Sequence, residues 1–187
     1  MNIHLFGSNT LTGQYFQENI DIDNCNLYAY SRRKSGQLGI DLEKPESNIS
    51  MKLEDKSYII SFAPIWLLQK YLDYQIINNR INIVNLKGII ACSSSSVETK
   101  KYASNDFDKQ LANTLENAEN RLINMMGNFK IECKIVRPTM IYGQKESKKD
   151  RNLSKIVDLM ARMKVVIMPD STGMRQPIHA LQLANVI

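Results

Sequence analysis

Apolar residues recur along the chain in short runs and in longer helical spacings that alternate. The run Asn2–Phe6 is β-rich and ends at Gly7, and positions 12–19 then open a helix. Further strands are predicted at 26–30, 57–62, 88–92 and 131–136, with a last short one at 165–168. Helical spacing marks Ile65–Ile77 and Leu153–Met163. It also marks 106–126, where Leu111, Leu115, Ala118 and Leu122 follow at three- and four-residue steps. Strand and helix alternating in this way predict βαβ units around a parallel sheet, an α/β fold wound on both faces.

In such sheets ligands gather outside the carboxyl ends of the strands. Gly7, Ser31, Ser61, Ser94 and Arg137 all fall at predicted strand ends and are therefore comparable positions. The segment Gly7-Ser8-Asn9-Thr10-Leu11-Thr12-Gly13 lies between the first strand and the first helix. A tight turn wants glycine, and a helix N-terminus offers free N–H groups to an anion. Gly7 and Gly13 meet the first and last needs of a pyrophosphate loop, while Thr10 stands where a middle glycine is expected. The alternative is an ordinary strand-to-helix turn. After the next strand comes Ser31-Arg32-Arg33-Lys34, with no acid nearby. An acid there would suit the ribose of NAD, and an arginine suits the 2′-phosphate of NADP. NADP is thus favoured over NAD, the alternative being a basic surface turn.

Charge and composition narrow the picture without deciding it. The 187 residues carry a formal charge of +5, and apolar residues make up 43%. This is the balance of a globular domain with a mild preference for anions. The cluster from Lys145 to Arg151 mixes Glu146 and Asp150 with its basic residues and is expected to be a solvated loop. Basic and aromatic residues do not interleave, so no nucleic-acid partner is expected. Cys25, Cys92 and Cys133 lack metal spacing, and buried free thiols in a reducing cytoplasm are expected. Neither a leader nor a membrane span is expected, since the first residues read as a strand and the longest apolar stretch is short.

Several segments, in order, resemble the extended or atypical short-chain dehydrogenases of the nucleotide-sugar epimerase/dehydratase type. Gly7 to Gly13 is similar to their GxxGxxG loop, and Ser61-Phe62-Ala63-Pro64 to the segment lying against the cofactor. Ser93-Ser94-Ser95-Ser96-Val97 resembles the strand end that carries the catalytic Ser/Thr, and Ala118-Glu119 the Ala-Glu of the active-site helix. The most specific match is Arg137-Pro138-Thr139-Met140-Ile141-Tyr142-Gly143, similar to RPxxIYG. Gly173-Met174-Arg175-Gln176-Pro177-Ile178-His179 resembles the segment whose arginine meets a nucleotide-sugar diphosphate.

The resemblance implies a Rossmann-type sheet over 1–150, binding NADP or NAD through Gly7, Ser8, Asn9, Thr10, Leu11, Gly13, Ser31, Arg32, Ser61, Ala63 and Arg137. It implies Ser94 as a catalytic residue and Arg175 as a substrate contact. The substrate would be a nucleotide sugar or related small molecule, and a homodimer through the long helix is compatible. The start of a substrate-binding part is expected over 151–187, incomplete because the family's chains continue further. One departure bears on chemistry. Counting back from Glu119, the family's Tyr-x-x-x-Lys pair falls on Leu111 and Leu115, which carry no exchangeable proton. Either catalysis is degenerate or altered, or the fold holds NADP(H) without turnover as a sensor or partner subunit. Tyr102 and Lys109 are the nearby residues to which a shifted helix would turn.

Overall fold

A computed structural model describes residues 1–21, 23–32, 38–47, 51–145, 148–150, 153–164 and 176–187. Its centre is a five-stranded sheet in the order β2-β1-β3-β4-β5. The strands are β1 (Asn2–Phe6), β2 (Asn26–Ala29), β3 (Ser57–Ser61), β4 (Leu86–Cys92) and β5 (Glu132–Val136). Every neighbouring pair is parallel. The helices are α1 (Leu11–Asn19), α2 (Ile65–Ile77), the single turn α3 (Ser96–Thr99), α4 (Asp106–Asn128), α5 (Leu153–Met163) and α6 (Ala180–Val186). The expected α/β fold, a doubly wound parallel sheet, is the one found.

Adjacent strand residues point to opposite faces, and the two cores follow that alternation. Ile59 and Ile89 join Leu68, Leu72, Leu115 and Leu122 on the face covered by α2 and α4. Ile3, Leu5 and Ile60 join Phe16 and Ala184 on the face covered by α1 and α6. Leu122 and Met126 on α4 are fully buried. Each such side chain contributes about 1.5–3 kcal/mol of apolar burial. α4 starts cleanly because Asn105 accepts the Asp108 N–H at 2.8 Å. Asp106 and Asp108 in its first turn also suit the positive end of the helix dipole.

Between β2 and β3, where no strand was expected, Ile40, Met51 and Leu53 pack irregular chain into the α2/α4 core. Two features depart from the sequence pattern. β6 (Met140–Tyr142) pairs in parallel with β9 (Pro177–His179), joining segments on both sides of position 150. The basic cluster is not simply a solvated loop, because β7 (Gln144–Lys145) pairs antiparallel with β8 (Lys148–Lys149). The strand expected at 165–168 lies outside the described residues. α5 keeps the expected bounds, with Val157, Met160 and Met163 exposed.

No described helix is long and apolar enough to cross a membrane. Cys25 and Cys92 are buried and Cys133 half-buried, all as free thiols. Burial pushes the Cys92 thiol up to about 12 and that of Cys133 up to about 11.

His4, in the middle of β1, is fully buried. Its Nδ1 lies 2.8 Å from the Tyr30 hydroxyl and its Nε2 3.2 Å from Ser57 Oγ. It also stacks on Tyr28 at 5.0 Å. Burial disfavours the charged ring and lowers its pKa to about 4. Between pH 6.5 and 4 the unfolded chain therefore binds a proton that the native chain refuses, so stability falls as pH falls through that window. The limiting slope is about 1.4 kcal/mol per pH unit. Thermal melts should show a drop in midpoint across this range, and His4→Asn should flatten it. An unchanged profile in His4→Asn would show that the acid sensitivity arises elsewhere.

Candidate functional site

β1 is the switch point of the sheet, since the chain runs from it to β2 on one side and later to β3 on the other. Ligand crevices form at the carboxyl ends of such strands. Here that edge holds a cavity of about 320 Å³. Gly7, Ser8, Asn9 and Thr10 line it from the β1–α1 loop, and Tyr30, Ser31 and Arg32 from the end of β2. Ala63, Pro64 and Leu67 line it from the start of α2.

The loop's shape follows from two missing side chains. Gly7 has φ +75, and a Cβ there would sit 2.6 Å from the Ala63 nitrogen and the Phe62 carbonyl carbon. A Cβ on Gly13 would sit 2.3 Å from the Gly7 oxygen. The first glycine lets the chain turn against the end of β3, and the second lets α1 pack onto that turn. Thr10, in place of a middle glycine, is the N-cap of α1. Its Oγ1 accepts the Gly13 N–H at 3.0 Å and donates to the Gly7 carbonyl at 2.8 Å. The hydroxyl is thus folded back into the loop, and Leu11 takes the first helical position with its N–H unclaimed within the helix.

The loop is fastened to β2. Ser8 Oγ donates to the Tyr30 carbonyl at 2.7 Å, and the Asn9 amide donates to Ser31 Oγ. Arg32 pairs with Glu43 at 3.4 Å, both largely exposed. Ile40, Asp41, Leu42 and Glu43 form a further wall of the cavity that the sequence pattern did not single out. A regular strand would have drawn attention to them, and the segment has none. Lys148 is the other unexpected lining residue.

The remaining expected residues sit elsewhere. Ser61 is buried and does not line the cavity; its Oγ accepts the Ala63 N–H at 3.3 Å. Ser94 Oγ donates to Ser96 Oγ at 3.0 Å and accepts the Ser96 N–H at 3.1 Å, closing the turn into α3. Arg137 does not line the cavity. It donates to both carboxylate oxygens of buried Glu119, at 2.5–3.2 Å, and to Glu98 at 2.9 Å. Hydrogen bonding to Glu119 raises the pKa of its guanidinium and keeps it charged. Arg175 lies outside the described residues.

On α4, Leu115 is buried in the core and Leu111 packs against it. Tyr102 is 88% exposed, and Lys109 is exposed as well. His179 caps α6 by accepting the Leu181 N–H at 3.2 Å and lies between the rings of Tyr15 and Tyr142. Among the described residues no cluster of His, Cys, Asp and Glu has the grouping to hold a metal ion.

No family model matches the sequence, and no curated protein matches it. Solved structures do match. The dTDP-4-dehydrorhamnose reductase from Yersinia enterocolitica superposes with a TM-score of 0.67 at 19% identity, over 98% of this chain and 68% of that one. The UDP-N-acetylglucosamine 4-epimerase from Methanobrevibacter ruminantium, in complex with UDP-N-acetylmuramic acid, gives 0.67 at 15%, over 98% and 70%. RMD from Pseudomonas aeruginosa, complexed with NADPH, gives 0.66 at 16%, over 98% and 71%. At these identities the likeness is one of architecture, and the chain has the Rossmann-type fold of these three structures.

Proposed function

We propose that the chain binds a nicotinamide dinucleotide, NADP(H) ahead of NAD(H), in the cavity between β1, β2 and β3. The observation that carries this reading is the pair of glycine close approaches, Gly7 onto Ala63 and Gly13 onto Gly7. Together they hold the N-terminus of α1 against the end of the sheet beside the cavity, the geometry a pyrophosphate needs. The backbone from Ser8 to Leu11 would face the pyrophosphate, at the positive end of α1. Ser31 and Arg32 would meet the 2′-phosphate, with Arg32 leaving its exposed pairing to Glu43, an interaction worth little in water. Solved structures of the same fold complexed with NADPH support a nicotinamide dinucleotide as the ligand.

Bound there, the dinucleotide supplies hydride chemistry; the protein must supply proton transfer to the sugar hydroxyl. Here the residues argue for degenerate catalysis on nucleotide sugars. Leu111 and Leu115 face the core, Tyr102 faces solvent, and Ser94 is engaged by Ser96. General acid–base assistance typically contributes about 10²–10⁴-fold, and an isolated serine does not replace it. The reading is therefore a dinucleotide-binding protein of the epimerase/reductase fold, acting as a sensor or partner subunit in preference to a competent epimerase.

Calorimetry on the 187-residue chain should show NADPH binding more tightly than NADH, and Arg32→Ala should narrow the difference. Absence of binding by either dinucleotide to folded protein would refute the reading. Incubation with NAD(P) and UDP-, GDP- and dTDP-sugars should give little or no new sugar product by NMR. Robust turnover would show that a proton-transfer group is within reach after all, with Tyr102, ahead of α4, and Lys109, on it, the first to replace.

A further inference from the structure

The hairpin β7–β8 lies against α1 through contacts that its sequence does not suggest. Tyr15 donates its hydroxyl to the Gln144 carbonyl at 3.0 Å. Lys145 pairs with Glu18, sits 4.6 Å over the Tyr15 ring and reaches the Gln14 carbonyl. Its side chain is only 13% exposed. At the base of the hairpin, Asp150 donates its N–H to the Gly143 carbonyl at 3.0 Å and its carboxylate accepts the Ser154 N–H. The hairpin is thus anchored at its base and along α1.

Lys145 and Lys148 are directly paired in the register, so their side chains share one face of the hairpin. Lys145 is spent on the anchor. Lys148 extends the other way, over the β1–α1 loop, where its ammonium donates to the Asn9 carbonyl and lines the cavity. Among the described residues it is paired with no carboxylate, unlike Lys100, Lys101, Lys134 and Lys145. The loop itself offers only backbone N–H groups and the partial charge of a helix end. An ammonium at its rim supplies a full positive charge at the place where two phosphates would lie.

We infer that β7–β8 is a strap over the phosphate loop and that Lys148 is a ligand of the dinucleotide pyrophosphate, contributed from outside the glycine loop. This rests on the proposed dinucleotide site. Lysine suits the task as a compact charge on a flexible stem, able to leave the Asn9 carbonyl for a phosphate oxygen. Because the pyrophosphate is common to both cofactors, Lys148 would strengthen NADH and NADPH alike, leaving the choice between them to Ser31 and Arg32.

The test compares wild type with Lys148→Met, Lys148→Arg and Lys149→Met by fluorescence titration of NADPH and NADH, with adenosine as a phosphate-free probe by calorimetry. Lys148→Met should raise both dinucleotide dissociation constants by about tenfold or more, with adenosine unchanged. It should also weaken the dependence on salt. Lys148→Arg should recover most of the affinity, and Lys149→Met should match wild type. Wild-type affinity in a folded Lys148→Met would overturn the strap while leaving the dinucleotide site intact. A loss confined to NADPH would overturn the pyrophosphate assignment. Failure of wild type itself to bind either dinucleotide would remove the site and the strap together.

Discussion

The approach of Gly7 to the end of β3 is the constraint from which the rest of the site follows. With no Cβ and φ +75, the chain leaves β1 flat against the Phe62–Ala63 peptide. Any L side chain would drive backbone atoms apart at a point where the sheet has no slack. Once the turn is made, α1 starts directly above it, and only a second glycine, Gly13, lets the helix settle on the Gly7 carbonyl. Thr10 then closes the loop from within by bonding both Gly7 and Gly13. The result is a helix N-terminus aimed at the switch point of a parallel sheet, a place where an anion gains from both the free N–H groups and the dipole.

The electrostatics around this point are divided. Arg32 and Lys148 bring positive charge to the rim, while Asp41 and Glu43 bring negative charge to the wall opposite the loop. Arg137, the other arginine expected at the site, is committed to Glu119 and Glu98. Its work is to hold the end of β5 against α4 by neutralising a carboxylate that is almost wholly buried. Removing one partner of such a pair costs more than the pair is worth, because it strands the other in a low-dielectric setting. The arginine that the sequence suggested for a ligand thus braces the sheet edge instead.

Much of the fold was legible because its elements are long enough to show a period. Ile65–Ile77 and Leu153–Met163 coincide with their observed bounds, and the long helix gains only two residues at its C-terminal end. The glycine turn between β1 and α1 was legible because glycine has a steric meaning. What could not be read were pieces defined by tertiary pairing. β6 and β9 have three residues each, β7 and β8 two, and none has room for an alternation. Lys148 is one lysine in a charged run until the anchoring of Lys145 shows which way it extends. Asp41 and Glu43 enter the cavity wall from chain with no regular structure, so no motif announced them.

On the proposed reading, the β1–α1 loop receives a dinucleotide phosphate through its backbone. Amide resonances report on this residue by residue. In an NMR titration of ¹⁵N-labelled protein with NADPH, the largest shifts should fall on Ser8, Asn9, Thr10, Leu11 and Thr12, followed by Ser31 and Arg32. Amides at the opposite edge of the sheet, near Asn2, Asn26 and Ser57, should stay in place. A saturable binding event that shifts the opposite edge and leaves Ser8 to Thr12 unchanged would contradict the account.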